Sequence, residues 1–289
     1  MSYYILYNPL AGNGTCENKL SSLDSLYTGA KKVDVTALED YASFISSLSE
    51  DDVVIIAGGD GTLNRFINDT EGLEIKNQVL YFATGTGNDF LRDVEGAEEG
   101  RPVPVNEYIT DLPIVEVNGK KYRFINGIGY GIDGYCCEEG DKLKEKSDKP
   151  VNYTAVAIKG LLFHYHPTKA RVTVDGETFE YKKVWLAPTM NGRFYGGGMM
   201  PTPEQKRLDK DGRISVMVWH DTGKLSTLMA FPSLFKGEHV KKTKKIDIHS
   251  GHEISVEFDR PTALQIDGET VVGVTSYKVY SRAHVPTTV

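Results

Sequence analysis

The sequence predicts an α/β domain built on an open parallel sheet, followed by an antiparallel, β-rich second half. Three observations carry that prediction. Three apolar, strand-like runs each feed a loop of glycine and small polar residues. The alternation of short strands with helical patterns stops near residue 115. Beyond that point the punctuation changes to two-residue hairpin signals.

Tyr3–Tyr7 is the first strand, and it enters the loop Asn8-Pro9-Leu10-Ala11-Gly12-Asn13-Gly14-Thr15 before a helical pattern from Glu17 to Tyr27. Leu38 to Leu48 carries apolar residues at helical spacing. Val53–Ala57 then delivers Gly58-Gly59-Asp60-Gly61-Thr62 to a helix start at Leu63-Asn64-Arg65-Phe66-Ile67, and Val79–Ala83 feeds Thr84-Gly85-Thr86-Gly87-Asn88-Asp89-Phe90. In an open parallel sheet such loops gather at the carboxyl edge, where ligands bind.

After the boundary, Asn118-Gly119 separates Ile114–Val117 from Lys121–Phe124, and Asp175-Gly176 separates Arg171–Val174 from Thr178–Tyr181. Both dipeptides favour the positive φ angles of a tight hairpin. Ile254–Phe258 and Thr275–Tyr280 alternate like half-buried strands, and Trp185 and Trp219 read as core. One helix is expected to interrupt this half: Asn152 to Tyr165, capped by Asn152 and stopped by Pro167.

Composition narrows the function. With 33 basic and 40 acidic groups the net charge is -7, and no basic stripe interleaves with aromatics, so a nucleic-acid partner is not expected. The longest apolar stretch, Thr154 to Phe163, is interrupted by Lys159 and too short to span a bilayer. Met1-Ser2-Tyr3-Tyr4 runs into a strand without the features of a signal peptide, and Cys16, Cys136 and Cys137 read as thiols of a reducing compartment. The expected location is cytoplasmic, with peripheral contact at the inner face of the membrane. His164 and His166 lack the companions of a metal site and read as surface residues at a helix end.

Glycines at 58, 59 and 61 let the backbone approach an anion closely at a helix start. Asp60 in the same loop is informative. A carboxylate about 4 Å from a phosphate costs about 4 kcal/mol at an effective dielectric of 20, so a cation between them is required. The loop therefore points to a metal nucleotide. Taken singly, this loop would also serve as a simple strand-to-helix turn with Asp60 as a solvated cap.

Six blocks in order resemble the diacylglycerol kinase catalytic family, and particularly its soluble bacterial lipid-kinase members. They are Asn8-Pro9 with Gly12; Gly58 to Asn64; Gly85 to Phe90 with Arg92; Asn126-Gly127-Ile128-Gly129-Tyr130-Gly131-Ile132-Asp133; Asn191-Gly192 with Gly196-Gly197-Gly198; and Asp267-Gly268-Glu269. The resemblance implies a Rossmann-like nucleotide-binding α/β domain over 1–113, completed by 281–289, and a β-sandwich lipid-substrate domain over 114–280, with the active site in the cleft between them. It implies ATP and magnesium, with transfer of the γ-phosphate to a lipid hydroxyl, diacylglycerol first among acceptors. Asn8, Gly12, Gly58, Gly59, Gly61, Thr62, Gly85, Thr86, Gly87 and Asn88 would bind ATP, with Arg92 and Lys159 as candidate cations near the phosphates. Asp60, Asp89 and Asp133 would place or support the catalytic magnesium, with Asp60 and Asp133 as its carboxylates, and Glu269 would be the general base. Leu208, Asp211 and Ile214 match a second, structural magnesium loop. A homodimer is carried over on the same ground, as is a lipid substrate presented at the membrane surface.

Each of these residues also has a plainer reading. Asp267-Gly268-Glu269 would serve as a hairpin turn with an exposed Glu, Asp211-Gly212 as an ordinary turn, Arg92 as a surface residue, and Lys159 as a side chain exiting to water. Lys236, Lys241, Lys242, Lys244 and Lys245, after Phe231, Leu234 and Phe235, read either as a solvated loop or as a basic patch for anionic lipid. The chain departs from the family at Ala83, usually proline; at Asn13-Gly14-Thr15, where a basic residue is usual; and at Arg65, often acidic. Arg65 would replace the missing charge or face solvent. The competing functions are kinases of a sphingoid base, a polyprenol, another glycerolipid or NAD, and a nucleotide-sensing module without catalysis.

Overall fold

The computed structural model describes residues 1–9, 16–38, 40–85, 87–146, 151–242 and 244–282. The chain divides into two compact units, Met1–Asp111 and Leu112–Val289.

The first unit runs β1 (Tyr3–Tyr7), α1 (Cys16–Leu26), β2 (Lys31–Asp34), α2 (Tyr41–Ser46), β3 (Val53–Gly58), α3 (Asp60–Asp69), β4 (Gln78–Ala83), α4 (Asp89–Asp93), β5 (Val103–Pro104) and α5 (Asn106–Ile109). Its sheet has the order β2-β1-β3-β4-β5. All six residues of β3 are buried, as a central strand covered on both faces requires. Ile5, Val53, Ile55, Leu80 and Phe82 pack with Leu20 and Leu23 of α1 on one face. The sheet is mixed, which corrects the parallel expectation: β2, β1, β3 and β4 are parallel, but β5 runs antiparallel to β4. Pro104, which has no N–H to donate, is tolerated on that edge. The helix expected from Leu38 to Leu48 is shorter because the Asp40 carboxylate accepts from Ala42 N at 3.2 Å and Ser43 N at 2.8 Å, fixing its start.

The second unit runs β6 (Ile114–Val117), β7 (Lys120–Arg123), β8 (Gly127–Tyr130), α6 (Ile132–Lys146), then α7 (Tyr153–Lys159) with a π-helical turn at Gly160–His164. It continues with β9 (Thr168–Val174), β10 (Glu177–Val184), β11 (Thr189–Met190), β12 (Ile214–Trp219), α8 (Lys224–Ala230), a 3-10 helix at Phe231–Lys236, α9 (His239–Lys242), β13 (Ile246–Gly251), β14 (Glu253–Ile266) and β15 (Glu269–Tyr280). The strand pairings described here are antiparallel, along the path β13-β12-β11-β8-β14-β15-β6-β7, with β9 joining β10 to β14. Asn118 and Asp175 adopt φ of 51° and 48°, so both predicted hairpins close as their sequences require. Tyr130 stacks on Phe258 with centroids 3.9 Å apart, and Trp185 and Trp219 are buried.

More than one helix interrupts these strands, contrary to the single helix expected. α6 escapes a periodicity reading because Gly134 and Gly140 break its apolar pattern. Packing demands both: a Cβ at 134 would overlap the Ala263 carbonyl, and one at 140 would strike the Tyr153 ring. The helix capped by Asn152 is present, its side chain accepting from Ala155 N at 3.0 Å. Of the 281–289 segment, Ser281 donates its N–H to the His252 carbonyl at 2.7 Å and Arg282 donates to the Asp209 carbonyl, both within the second unit. The remainder, 283–289, lies outside the described residues.

Candidate active site

The sheet order of the first unit makes a switch point. From β1 the chain passes outward to β2, then returns to place β3 on the other flank of β1. Parallel α/β sheets bind ligands outside the strand ends at such a reversal. The registers Tyr7↔Ala57 and Gly58↔Ala83 bring the ends of β1, β3 and β4 level, so the loops that begin at Asn8, Gly59 and Thr84 leave the same edge.

Two of these loops are locked together. Thr84 N donates to Gly58 O at 2.8 Å, and a Cβ on Gly85 would stand 2.7 Å from Gly59 Cα, a backbone atom that cannot move aside. A Cβ on Gly58 would overlap Thr62, whose side chain is buried in the first turn of α3. Asp60 does not cap its own helix. Its carboxylate reaches across and accepts from Asp89 N at 2.7 Å and Phe90 N at 3.2 Å, so it caps α4. Asn88, just before that helix, holds the left-handed conformation at φ 48°, ψ 42°. Its Oδ1 is buried with no hydrogen-bond partner among the described residues, and a Cβ on Gly85 would stand 3.2 Å from it.

Asp89 is buried, and the half-exposed Arg92 lies 3.6 Å from its Oδ1. Arg65 is exposed and pairs with Asp69 at 3.1 Å, so it takes the solvent reading. Gly61 is exposed in α3, while Asn8 and Gly87 are half-buried. Gly12 and Thr86 lie outside the described residues.

In the second unit, Asp133 sits in the first turn of α6, only 8% exposed. Its Oδ2 accepts from Tyr195 Oη at 2.8 Å and its Oδ1 from Gly134 N at 3.0 Å. Burial nevertheless pushes its carboxyl up to about 6, with those hydrogen bonds only partly offsetting the loss of water. Gly129 is glycine because a Cβ there would overlap both the Asp133 carboxylate and the Gln265 amide. Tyr195 was not identified from sequence. The signal was the run Gly196-Gly197-Gly198, whose φ values of 60°, 84° and 107° fold the chain back so that Tyr195 and Met199 exchange backbone hydrogen bonds.

Three sequence blocks converge at the start of β8. The Asp267 carboxylate accepts from Ile125 N at 2.6 Å, Asn126 N at 2.8 Å and Gly127 N at 2.9 Å. Asn191 and Gly192 donate their N–H groups to Asn126 O, and Asn191 Nδ2 donates to Ile125 O. Arg207, buried and not singled out from sequence, donates to Ile125 O and to Asn126 Oδ1. Asp267-Gly268 is also the two-residue turn of the β14–β15 hairpin, with φ of 48° and 100°, and Gln265 Oε1 accepts from Gly268 N at 2.6 Å. Glu269 follows as the exposed first residue of β15. The plainer reading of this turn is thus correct in geometry, and it leaves a carboxylate open to solvent on a rigid base.

Lys159 is exposed in the last turn of α7. At the proposed second metal loop, Leu208 and Asp211 are exposed and Ile214 is buried at the start of β12. Gly212 N donates to Asp209 O at 3.0 Å and Gln205 Nε2 to Arg213 O at 2.8 Å, which closes an Asp-Gly turn. Among the described residues no three His, Cys, Asp or Glu side chains group as a metal cluster. Single carboxylates and the Asn88 oxygen, which has no partner among the described residues, fit magnesium, which is held by one or two carboxylates together with substrate phosphates. Among the described residues no helix is long and apolar enough to cross a membrane.

The diacylglycerol kinase catalytic domain matches residues 2–111, and the YegS C-terminal NAD kinase beta sandwich-like domain matches residues 126–285. A diacylglycerol kinase of Bacillus subtilis is 24% identical over 278 residues, 92% of this chain and 88% of that protein. One of Mycobacterium tuberculosis is 24% identical over 198 residues, 66% of this chain and 62% of that protein. Among solved structures, a diacylglycerol kinase of Bacillus anthracis covers 98% of this chain and 95% of its own at a TM-score of 0.58 and 19% identity, a likeness of fold.

Proposed function

This chain belongs to the diacylglycerol kinase catalytic family, and from that premise we propose that it transfers the γ-phosphate of ATP to a lipid hydroxyl, converting diacylglycerol to phosphatidic acid. The observation that carries the proposal is the tie from Asp60 to the Asp89 and Phe90 amides. It holds two glycine loops and a carboxylate in one arrangement at the switch point, as a metal nucleotide requires.

In the proposed reaction the glycine loops offer N–H groups to the phosphates, and Asn8, Thr62 and Asn88 orient them. Magnesium would neutralise charge on the transferring group, with Asp60 a candidate carboxylate in the first unit and Asp133 one in the second. Glu269 accepts the proton of the lipid hydroxyl as its oxygen bonds to the γ-phosphorus, while the bond from that phosphorus to the bridging oxygen breaks and ADP leaves. Support for Glu269 as base comes from the pinned turn before it: Asp267 and Gln265 fix the backbone while the carboxylate stays accessible. Arg92, Lys159 and the second ion at Leu208, Asp211 and Ile214 remain part of the proposal.

The test is magnesium-dependent transfer of labelled γ-phosphate to a panel of lipids in mixed micelles, with NAD alongside and Glu269→Gln as control. Label in phosphatidic acid, at least about a hundredfold lower in the control, is expected. Label in another lipid would keep the chemistry and change the acceptor. Nucleotide binding without transfer to any acceptor would refute the proposal.

A further inference from the structure

Glu269, the proposed base, sits on a short limb that the sheet secures on one side only. Among the described residues β15 pairs with β6 only at Lys278, Val279 and Tyr280, so its first residues have β14 alone as a strand neighbour. The pairing then slips: Leu264 faces Val271 but Thr262 faces Val274, which leaves β15 with one extra residue beside Gly273, at φ 70°. Such a bulge bends a strand and increases its twist. Residues 269–271 are therefore an edge segment between a turn and a bulge, and the bonds of Asp267 and Gln265 hold it from the β14 side.

A helix secures the other side. Thr270 Oγ1 donates to Asp141 Oδ2 at 2.7 Å, a bond across 129 positions of chain. The second oxygen of Asp141 accepts from Lys144 Nζ at 3.1 Å, and Lys144 lies over the Tyr153 ring, which keeps the carboxylate turned toward Thr270. Gly134, whose Cβ would overlap the Ala263 carbonyl of β14, lies about two turns before Asp141 on the same face of α6. α6 thus bears on both limbs of the hairpin. Asp133 is in the first turn of that helix, so the bond at Asp141 ties the limb that carries Glu269 to the element that carries Asp133. Burial raises the Cys137 thiol, between Gly134 and Asp141 on the helix, and the carboxylates of Asp133, Asp141 and Glu269 add to the rise, so all three act on one side chain. Because neighbouring side chains on a strand point to opposite faces, anchoring Thr270 to α6 also fixes the direction in which Glu269 projects.

We propose that Asp141 is a positioning residue: through Thr270 it fixes where the Glu269 carboxylate stands relative to Asp133. The inference rests on the lipid-kinase reading and deepens it, because a base misplaced by about 1 Å can lose about a hundredfold in rate.

The test measures magnesium-dependent transfer from ATP to diacylglycerol in mixed micelles and, on the same full chains, amide hydrogen exchange along β15. Asp141→Ala and Thr270→Val should lower kcat about tenfold, keep KM for ATP and lipid within about twofold, and speed exchange at 269–271 but not at 278–280. Thr270→Ser and Asp141→Asn keep a hydroxyl and an acceptor oxygen, and each should retain at least about half of the native rate. In a Glu269→Gln background, Asp141→Ala should cost less than about twofold further, since the base it positions is gone. An equal loss in both backgrounds, or a loss carried by KM, would assign Asp141 a merely structural role and overturn the inference. If the native chain phosphorylates lipid and Asp141→Ala does so equally, the inference fails and the kinase reading stands. If the native chain phosphorylates no lipid, the kinase reading fails and exchange decides: faster exchange at 269–271 in Asp141→Ala keeps the hold on the limb, and unchanged exchange overturns it.

Discussion

Replacing Asp133 with Asn should make the second unit more stable. Burial lifts this carboxyl from the usual 3.8 to about 6. At about 1.4 kcal/mol per pK unit, keeping it ionised in the folded state costs about 3 kcal/mol at neutral pH. Below the unfolded value both states are protonated and the cost vanishes; it grows as pH rises from 3.8 and is complete above the folded value. An amide escapes it while keeping both contacts, because its oxygen can accept from Gly134 N and its NH2 can donate to Tyr195 Oη. Both tryptophans, Trp185 and Trp219, lie in the second unit, so their fluorescence during urea unfolding reports that unit alone. Asp133→Asn should exceed the native chain by about 2–3 kcal/mol at pH 8 and match it near pH 4. Equal stability at pH 8, or an advantage that grows on acidification, would refute the reasoning. The same substitution should abolish most magnesium-dependent transfer, so the native carboxylate is kept at a cost to stability.

Other substitutions separate the pieces of the site. Gly85→Ala should push the β3 and β4 loops apart, destabilising the first unit by about 1–3 kcal/mol and weakening ATP binding; an unchanged unfolding midpoint by circular dichroism with normal binding would contradict the close approach to Gly59. Asp267→Ala leaves three N–H groups without their charged acceptor and should cost about 3 kcal/mol or more, read by tryptophan fluorescence. Glu269→Gln, two residues on, should leave that midpoint within about 0.5 kcal/mol while transfer falls. Asp60→Asn can satisfy only one of the Asp89 and Phe90 amides and should fray α4, measured as faster hydrogen exchange at the other.

The strands that carry the nucleotide loops were legible because burial on both faces makes β3 and β4 continuous apolar runs, and glycine marks where they end. The hairpins were legible because Asn118 and Asp175 must reach positive φ. β2 was not, since Lys31-Lys32-Val33-Asp34 is a short, half-exposed edge without apolar alternation. α6 was hidden by glycines whose reason lies in distant partners, Ala263 and Tyr153. At the site, the resemblance named Asp133 and Glu269 but gave Asp267 no role of its own; that its carboxylate is pinned by three amides while Glu269 is exposed is visible only in the fold. Tyr195 and Arg207 act on partners 62 and 81 positions away, beyond any local pattern.

The clamp from Asp267 to the start of β8 spans 142 positions at Ile125, and β6 pairs with β15 across a still longer stretch of chain. During synthesis, at roughly 10 residues per second, β6 and β8 therefore wait on the order of 10 s for the hairpin that completes their sheet. The first unit has no such delay, because its strands pair with neighbours made soon before or after them. The nascent protein should thus pass through a stage in which the nucleotide unit is folded and the second unit still exposes unpaired strands. That interval is when a chaperone has most to protect, and when slowing translation beyond residue 130 would do most harm.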